Sequence, residues 1–194
     1  MKNFKRDNLL FSLCGLNCSL CPMKIGGYCP GCGGGEGNQS CKIARCSLDY
    51  DNIEYCFQCG NYPYEKYDGI DEFDSFITHQ RRQMDVEKAR EIGMEVYNGE
   101  QIQKSEILRD LLINYNDGRR KSFYCTAVNL LDLEDVKRVM ERIHNELKPD
   151  ESNLKENAAA AAKFFREKAE EKQIILKLKK KTKRRGAYDS KERN

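Results

Sequence analysis

Nine of the ten cysteines of this 194-residue chain fall between Cys14 and Cys59. They are spaced Cys14-x3-Cys18-x2-Cys21, Cys29-x2-Cys32, Cys41-x4-Cys46 and Cys56-x2-Cys59. The zone around them, roughly Leu13 to Pro63, is rich in Gly, Asn and Asp. Its apolar residues (Leu16, Leu20, Ile25, Ile43, Leu48, Ile53, Phe57) are too scattered to build a core unaided. Segments of this kind replace hydrophobic burial with disulfides or metal. A C-x2-C pair lets two sulfurs converge on one ion, because the turn between them aims its amides at the thiolates. The competing reading, free cysteines buried as small hydrophobes, does not suit a zone with so little apolar surface to bury them in.

Compartment decides between disulfides and metal. The start, MKNFKRDNLLFSLCGLNC, is basic and then briefly apolar, from Leu9 to Leu13 with Ser12 inside. That run is shorter than the roughly 7–15 residues of a signal h-region, and no A-x-A site follows. Leu13 and Asn17 precede Cys14 and Cys18, where a small residue is expected before a lipidated cysteine. No apolar run approaches the roughly 20 residues that span a bilayer. The expectation is a cytoplasmic protein without a membrane partner, whose reduced cysteines bind metal.

The expected ligands are Cys14, Cys18, Cys21, Cys29, Cys32, Cys41, Cys46, Cys56 and Cys59. Two tetrahedral four-cysteine zinc sites need eight thiolates, so one of the nine is a spare, a bridge or an exposed reactive thiol. Sequential pairing joins Cys18/Cys21 to Cys29/Cys32, and Cys41/Cys46 to Cys56/Cys59. A cross-braced arrangement swaps the partners, and Cys14 can replace any ligand of the first site. About two zinc ions are expected; an iron–sulfur cluster, which takes the same thiolates, is the alternative. Cys14-x3-Cys18-x2-Cys21 also has the spacing that radical S-adenosylmethionine enzymes use. Those enzymes resemble a β/α barrel, whereas here Gly-rich knuckles and helices follow with hardly a strand signal, in a chain short for that barrel.

Beyond the cysteines the pattern turns helical. Phe73, Phe76 and Ile77 open an amphipathic stretch that continues through Met84, Ala89 and Ile92 to Gly93. Ile107, Leu108, Leu111, Leu112 and Tyr115 make a second stripe, stopped by Asn116-Asp117-Gly118. Phe123 to Leu131 reads as a buried helix rather than a strand. Asp132 is the expected N-cap of a helix carrying Leu133, Val136, Val139, Met140, Ile143 and Leu147, which Pro149 ends. After it, ESNLKENAAAAAKFFREKAEEK predicts a helix with a narrow stripe of Leu154, Ala158, Ala161 and Phe165. From Lys177, KLKKKTKRR places seven basic residues in nine positions, a composition expected to be solvated and disordered. The predicted fold is a small irregular, metal-stabilised Cys-rich module over residues 1–66, an all-α helical domain over 67–148, and a helical extension with a basic, partly disordered tail over 149–194.

Charge follows the same division. The net charge of +3 is the sum of a body at −3, residues 1–148, and a tail at +6. A whole-protein nucleic-acid surface is therefore not expected, and weak contact with RNA or another polyanion is assigned to the tail alone. No aromatic residue lies between Leu178 and Arg185, so base stacking is not expected there. The remaining motifs read as structural. Gly31–Gly37 lacks a Gly-Lys-Ser/Thr and reads as a flexible connector. His79, read as mid-helix, and His144 read as surface residues, and Cys125 as a packed core thiol. Gly118-Arg119-Arg120-Lys121 reads as a solvated turn. No nucleophile–base pair assembles around these residues, so no catalytic residue is assigned.

The segments CGLNCSLCP, CPGC, CKIARC and CFQCGNYPYE together resemble the bacterial and archaeal cysteine-rich family catalogued as domain of unknown function 3795. YNDGRRKSFYCTAVNLL, Tyr115 to Leu131, is similar to the helical half of its longer members. The resemblance covers most of residues 13–145 and implies a metal-binding module of no established activity. Family members usually carry Pro-Cys where this chain has Pro63-Tyr64, so a tenth clustered cysteine is absent. The expected function is a zinc-binding module that binds or scaffolds an unknown protein partner; the alternative is an iron–sulfur protein with a redox or enzymatic role.

Overall fold

The computed structural model describes residues 3–35, 41–148 and 153–181. Among them there are seven α-helices and no strand: α1 (Pro22–Ile25), α2 (Lys42–Leu48), α3 (Arg82–Ile92), α4 (Met94–Asn114), α5 (Lys121–Leu130), α6 (Leu133–Glu146) and α7 (Leu154–Glu171). Single 3-10 turns occupy Cys18–Leu20, Cys56–Gln58 and Glu65–Tyr67. A β/α barrel is not what this chain builds. None of the helices is long and apolar enough to cross a membrane.

α4 is the central helix, packed against α3, α5, α6 and the Cys18–Leu20 turn. Its buried face is Tyr97, Gln101, Lys104, Leu108 and Leu111, spaced at three and four residues. The first half of that face is polar and the second half apolar. The sequence stripe is accordingly visible only from Ile107, although the helix begins at Met94. Gly93, at φ +83°, turns the chain between α3 and α4.

The main core lies among α4, α5, α6 and α7, with Tyr124, Val128, Leu131, Val136, Ile143 and Phe165 closed off from solvent. α7 is part of this core rather than an appended extension. Ala158, Ala161 and Ala162 let it approach closely, and Phe164, Phe165 and Ala169 complete an apolar face wider than the one expected. Pro149, the expected helix stop, and the start of the predicted tail helix lie outside the described residues; α6 itself ends at Glu146.

Two smaller cores carry the cysteine zone. Phe4, Leu13, Ile43, Ala44, Cys56 and Tyr67 form one, and Cys14 and Cys32 pack against it. Phe11, Tyr55, Val86, Ala89 and Tyr97 form the other, joining the zone to α3 and α4. Leu20 crosses into the main core.

Several local expectations are corrected. Residues 73–80 are irregular and the helix starts only at Arg82; Phe76 and Met84, assigned to its apolar face, are exposed. Asp132 does not cap α6: its carboxylate accepts from Arg81 Nη2 at 2.8 Å, a charged partner that outcompetes a main-chain amide. His79 is a half-buried loop residue, its ring 3.0 Å from Ser75 Oγ and 3.2 Å from the Ile70 carbonyl. Burial, and then the Arg82 charge, hold its pKa below the ordinary value. Gly31 to Gly34 is a packed loop: a Cβ on Gly33 would lie 2.7 Å from Arg6 Cγ, and one on Gly34 would lie 2.5 Å from the Pro30 carbonyl. Glu36 and Gly37, the rest of the expected connector, are outside the described residues. Gly118 to Lys121 does form a turn, with the Asn116 side chain accepting the Gly118 and Arg120 amides.

Candidate metal centre

Two of the three C-x2-C pairs fold alike. In Cys18–Cys21 and in Cys56–Cys59 the first three residues form one 3-10 turn. The fourth is extended, at φ −82°, ψ 127° for Cys21 and φ −79°, ψ 132° for Cys59. In each, the last amide donates to the first cysteine's carbonyl at 3.1 Å. Segments with no residues in common between the cysteines therefore share one backbone shape, a compact turn closed by the amide of the second cysteine. None of the ten cysteines is joined in a disulfide.

The chain from Ser12 to Leu16 sets the Cys14 position. Ser12 N–H donates to the Leu16 carbonyl at 2.8 Å, the Leu16 amide donates to Ser12 Oγ at 2.7 Å, and Ser12 Oγ lies 3.4 Å from Cys14 Sγ. Gly15, at φ +97°, closes this loop against α3; a Cβ there would lie 2.4 Å from Val86 Cγ2. Next to it the Cys32 amide meets the Cys18 sulfur and the Leu13 amide meets the Cys32 sulfur. The Cys56 amide donates to the Leu13 carbonyl at 3.0 Å, tying the second knuckle to the same strand of chain. Amides turned onto sulfur stabilise a thiolate.

The sulfurs fall into two neighbourhoods with Cys14 between them. Cys18, Cys21 and Cys32 form the first and Cys46 and Cys56 the second; Cys14 acts electrostatically on Cys18, Cys32 and Cys56. Cys46 and Cys59 line a shared surface cleft with Tyr50, Asn61, Tyr64, Glu65 and Lys66. Cys41, exposed at the start of α2, neighbours Cys32. Cys29 stands before Pro30 at the entrance to the glycine loop. Cys125 is buried on α5, where burial pushes its thiol up to about 12; Cys21 is its neighbour in the cluster.

Burial is also what pushes Cys18 up to about 12 and Cys32 up to about 11, and it raises Cys56. Like charge from the other sulfurs adds to the effect, and Arg6 works against it at Cys32. The Arg6 side chain is closed off from solvent; it donates to the Phe11 carbonyl and the Glu54 carbonyl, each at 2.9 Å, and pairs with the Glu54 carboxylate at 3.1 Å. The Tyr64 hydroxyl lies 3.5 Å from Cys56 Sγ, so this side chain reaches the cluster.

The donor chemistry fits a thiophilic ion, since the cluster holds soft ligands with amides on their sulfurs and a buried cation beside them. The geometry is open. Among the described residues, no three Cys, His, Asp or Glu side chains converge as a ligand set. Closing a site around an ion requires the sulfurs of each neighbourhood to draw together.

A buried polar network next to the cluster had no signal in the sequence. Asn17, just before Cys18, donates to Asp85 Oδ2 and accepts from Tyr97 Oη, both at 2.9 Å. Arg81 reaches Asp85, Asp132 and the Leu130 carbonyl; Lys104 donates to the Leu131 carbonyl at 2.6 Å. These side chains look like ordinary solvated charges on a helix pattern, and only the packing of α3 on α4 buries them. Compared with family models, curated proteins and solved structures, the chain matches none.

Proposed function

We propose that residues 13–63 form a thiolate metal module that holds about two zinc ions, in a protein that binds or scaffolds a partner in a reducing, cytoplasmic compartment. The observation that carries this reading is the repeated knuckle: Cys18–Cys21 and Cys56–Cys59 adopt the same turn in a zone free of disulfides. The grouping of Cys18 with Cys32, and of Cys46 with Cys56 and Cys59, is the one sequential pairing needs, while Cys41 beside Cys32 is the contact a cross-braced arrangement would use, so both pairings stay open. Cys14 is then the extra sulfur, between the groups. Membership of the family of domain of unknown function 3795 belongs to the same proposal and rests on the same cysteine series.

Zinc bound here supplies positive charge that holds the thiolates deprotonated despite their burial. The chain's own part is to present the sulfurs on two turns, to point the Cys32 and Leu13 amides at them, and to keep Arg6 beside Cys32. The test is metal analysis of the full chain purified without oxygen. Colourless protein with about two zinc ions per chain supports the reading. Brown protein with visible absorbance assigns the thiolates to an iron–sulfur cluster, and metal-free protein overturns the module. Cys32→Ser and Cys59→Ser should each lose one ion.

A further inference from the structure

After α7 the chain runs back over α5 as a strap. Ile174 and Leu176 pack on the main core, while Ile175, Lys177, Lys179, Lys180 and Lys181 are exposed. The strap is pinned to the loop before α3, about a hundred positions earlier in sequence. The Asp74 amide donates to the Lys179 carbonyl at 2.7 Å, and the Lys179 amide returns to Asp74 Oδ2 at 2.7 Å. Gln80 Nε2 donates to the Lys177 carbonyl at 3.0 Å. All of these bonds use the lysine main chain, and they leave the ammonium groups facing water. Of the seven basic residues in this block, Lys183, Arg184 and Arg185 lie outside the described residues.

The same pinning brings the loop that carries Phe73 and Phe76 to the cationic edge. Phe76 stands two residues from Asp74 and is 63% exposed. Phe73, on the other side of Asp74, has Lys181 Nζ 5.4 Å above its ring. A groove lined by Gln80, Ser122, Phe123, Thr126, Leu178 and Lys180 runs alongside. The strap's own sequence contains no aromatic, which is why base stacking was not expected; the fold supplies one from a distant segment.

We propose that this edge binds single-stranded RNA, with Lys177, Lys179, Lys180 and Lys181 on consecutive phosphates and Phe76 stacked under a base. Fixed cations beside an exposed aromatic ring are what backbone tracking and sequence-tolerant stacking require. A duplex offers no free base face to Phe76, and an acidic peptide satisfies the lysines without using the ring.

The full chain is titrated with a fluorescent single-stranded oligonucleotide and, separately, with heparin, a polyanion without bases, at about 50 and 200 mM salt, where counterion release is strong. Phe76→Ala should weaken RNA binding by about fivefold or more, the effect of losing one stacked base, and leave heparin binding unchanged. The triple variant Lys177→Ala, Lys179→Ala, Lys181→Ala should make the log–log salt slope for RNA shallower by about 2, at about 0.7 per phosphate contact. Wild type would then lose about 20-fold more affinity than the triple variant across that salt range. All four side chains are solvent-facing, and retained helical circular dichroism verifies folding. No RNA binding by wild type at the lower salt overturns the proposal, as does an unchanged slope in the triple variant. Equal RNA affinity of wild type and Phe76→Ala, or an equal loss for RNA and heparin, removes the base contact and overturns it too.

Discussion

Replacing Lys104 by methionine should remove a pH dependence that is otherwise built into the helical core. Lys104 is 4% exposed on α4, with its ammonium on the Leu131 carbonyl. Burial pulls its pKa from 10.5 down to about 8; Arg81 and Lys88 act in the same direction, and Asp85 and Asp132 oppose them. At neutral pH both folded and unfolded chains carry the proton, so the folded state bears the whole penalty, about 3 kcal/mol at about 1.36 kcal/mol per unit. Between about pH 8 and 10.5 the unfolded chain binds more protons than the folded one, so stability rises with pH. Linkage gives a recovery of about 2 kcal/mol from pH 7 to about pH 9.5. The thiols run the other way. In the metal-free chain Cys18 and Cys32, raised from 9.0 to about 12 and about 11, stabilise the fold below the ordinary thiol range and lose that contribution as pH climbs through it. A wild-type curve therefore mixes opposing slopes, and the difference between wild type and Lys104→Met isolates the lysine. Methionine also leaves the Leu131 carbonyl without its donor, a roughly pH-independent loss of about 1–3 kcal/mol. Urea denaturation of both proteins, in reductant and at equal metal loading, should show the gap moving by about 2 kcal/mol in favour of wild type as pH rises. A gap that stays constant refutes the claim that burial depresses this ammonium.

Three further outcomes follow from local geometry. Gly15→Ala places a side chain at φ +97° and 2.4 Å from Val86 Cγ2; it should lose about 2–4 kcal/mol in urea denaturation, and a loss below about 1 kcal/mol would mean that α3 yields at no cost. Asp74→Ala removes the acceptor of the His79 and Lys179 amides; limited proteolysis within 173–181 should accelerate while the helical circular dichroism holds, and unchanged cleavage would show that the strap is held without the Asp74 carboxylate, by Ile174, Leu176 and the bonds to the Lys177 and Lys179 carbonyls. Cys125→Ser should keep the full metal content and lose about 1–3 kcal/mol by burying a hydroxyl; loss of an ion would move Cys125 into the ligand set beside Cys21.

What the sequence made legible, and what it hid, divides by the kind of contact. α6 could be read because Leu133, Val136, Val139, Met140 and Ile143 repeat at helical spacing and are all buried. The Cys18–Cys21 and Cys56–Cys59 knuckles could be read because cysteine spacing is a local signal. The first half of α4 could not, since its buried face there is Tyr97, Gln101 and Lys104, which a hydrophobic pattern scores as exposed. The loop over residues 73–80 misled for the opposite reason: Phe76 is apolar and exposed, so periodicity counted a residue that packing does not use. The buried network around Asn17, Arg81, Asp85 and Lys104 depends on pairs such as Asn17 and Asp85, 68 positions apart in sequence, and no local pattern encodes those. Convergence of the cysteines is the expectation from spacing, but among the described residues no three of them converge as a ligand set, and which sulfurs are neighbours depends on the fold.

The segment from Phe11 to Leu20 decides how much of the cysteine zone hydrophobic packing holds by itself and how much is left to the proposed metal. Phe11 belongs to the core shared with α3 and α4, Leu13 to the cysteine-zone core, and Leu20 to the helical core; Asn17 sits in the buried polar network. The Cys18–Cys21 knuckle is thus anchored by the protein whether or not an ion is present. α2, which carries Cys46 and begins after Cys41, is held differently: Ile43 and Ala44 tie it to the small cysteine-zone core alone. Chelation should therefore not act evenly over the module. If the cysteines hold zinc as proposed, removing it would take away a cross-link between α2 and the rest, and the small core that remains has little apolar surface to keep a two-turn helix formed. Amide exchange after chelation should become fast in α2, at Arg45 and Cys46, while the Leu20 and Cys21 amides keep the protection of the helical core. Loss of protection at Leu20 together with α2 would show that the ion rather than the bundle orders the first knuckle, and unchanged protection in both would remove the cysteines from any structural metal site.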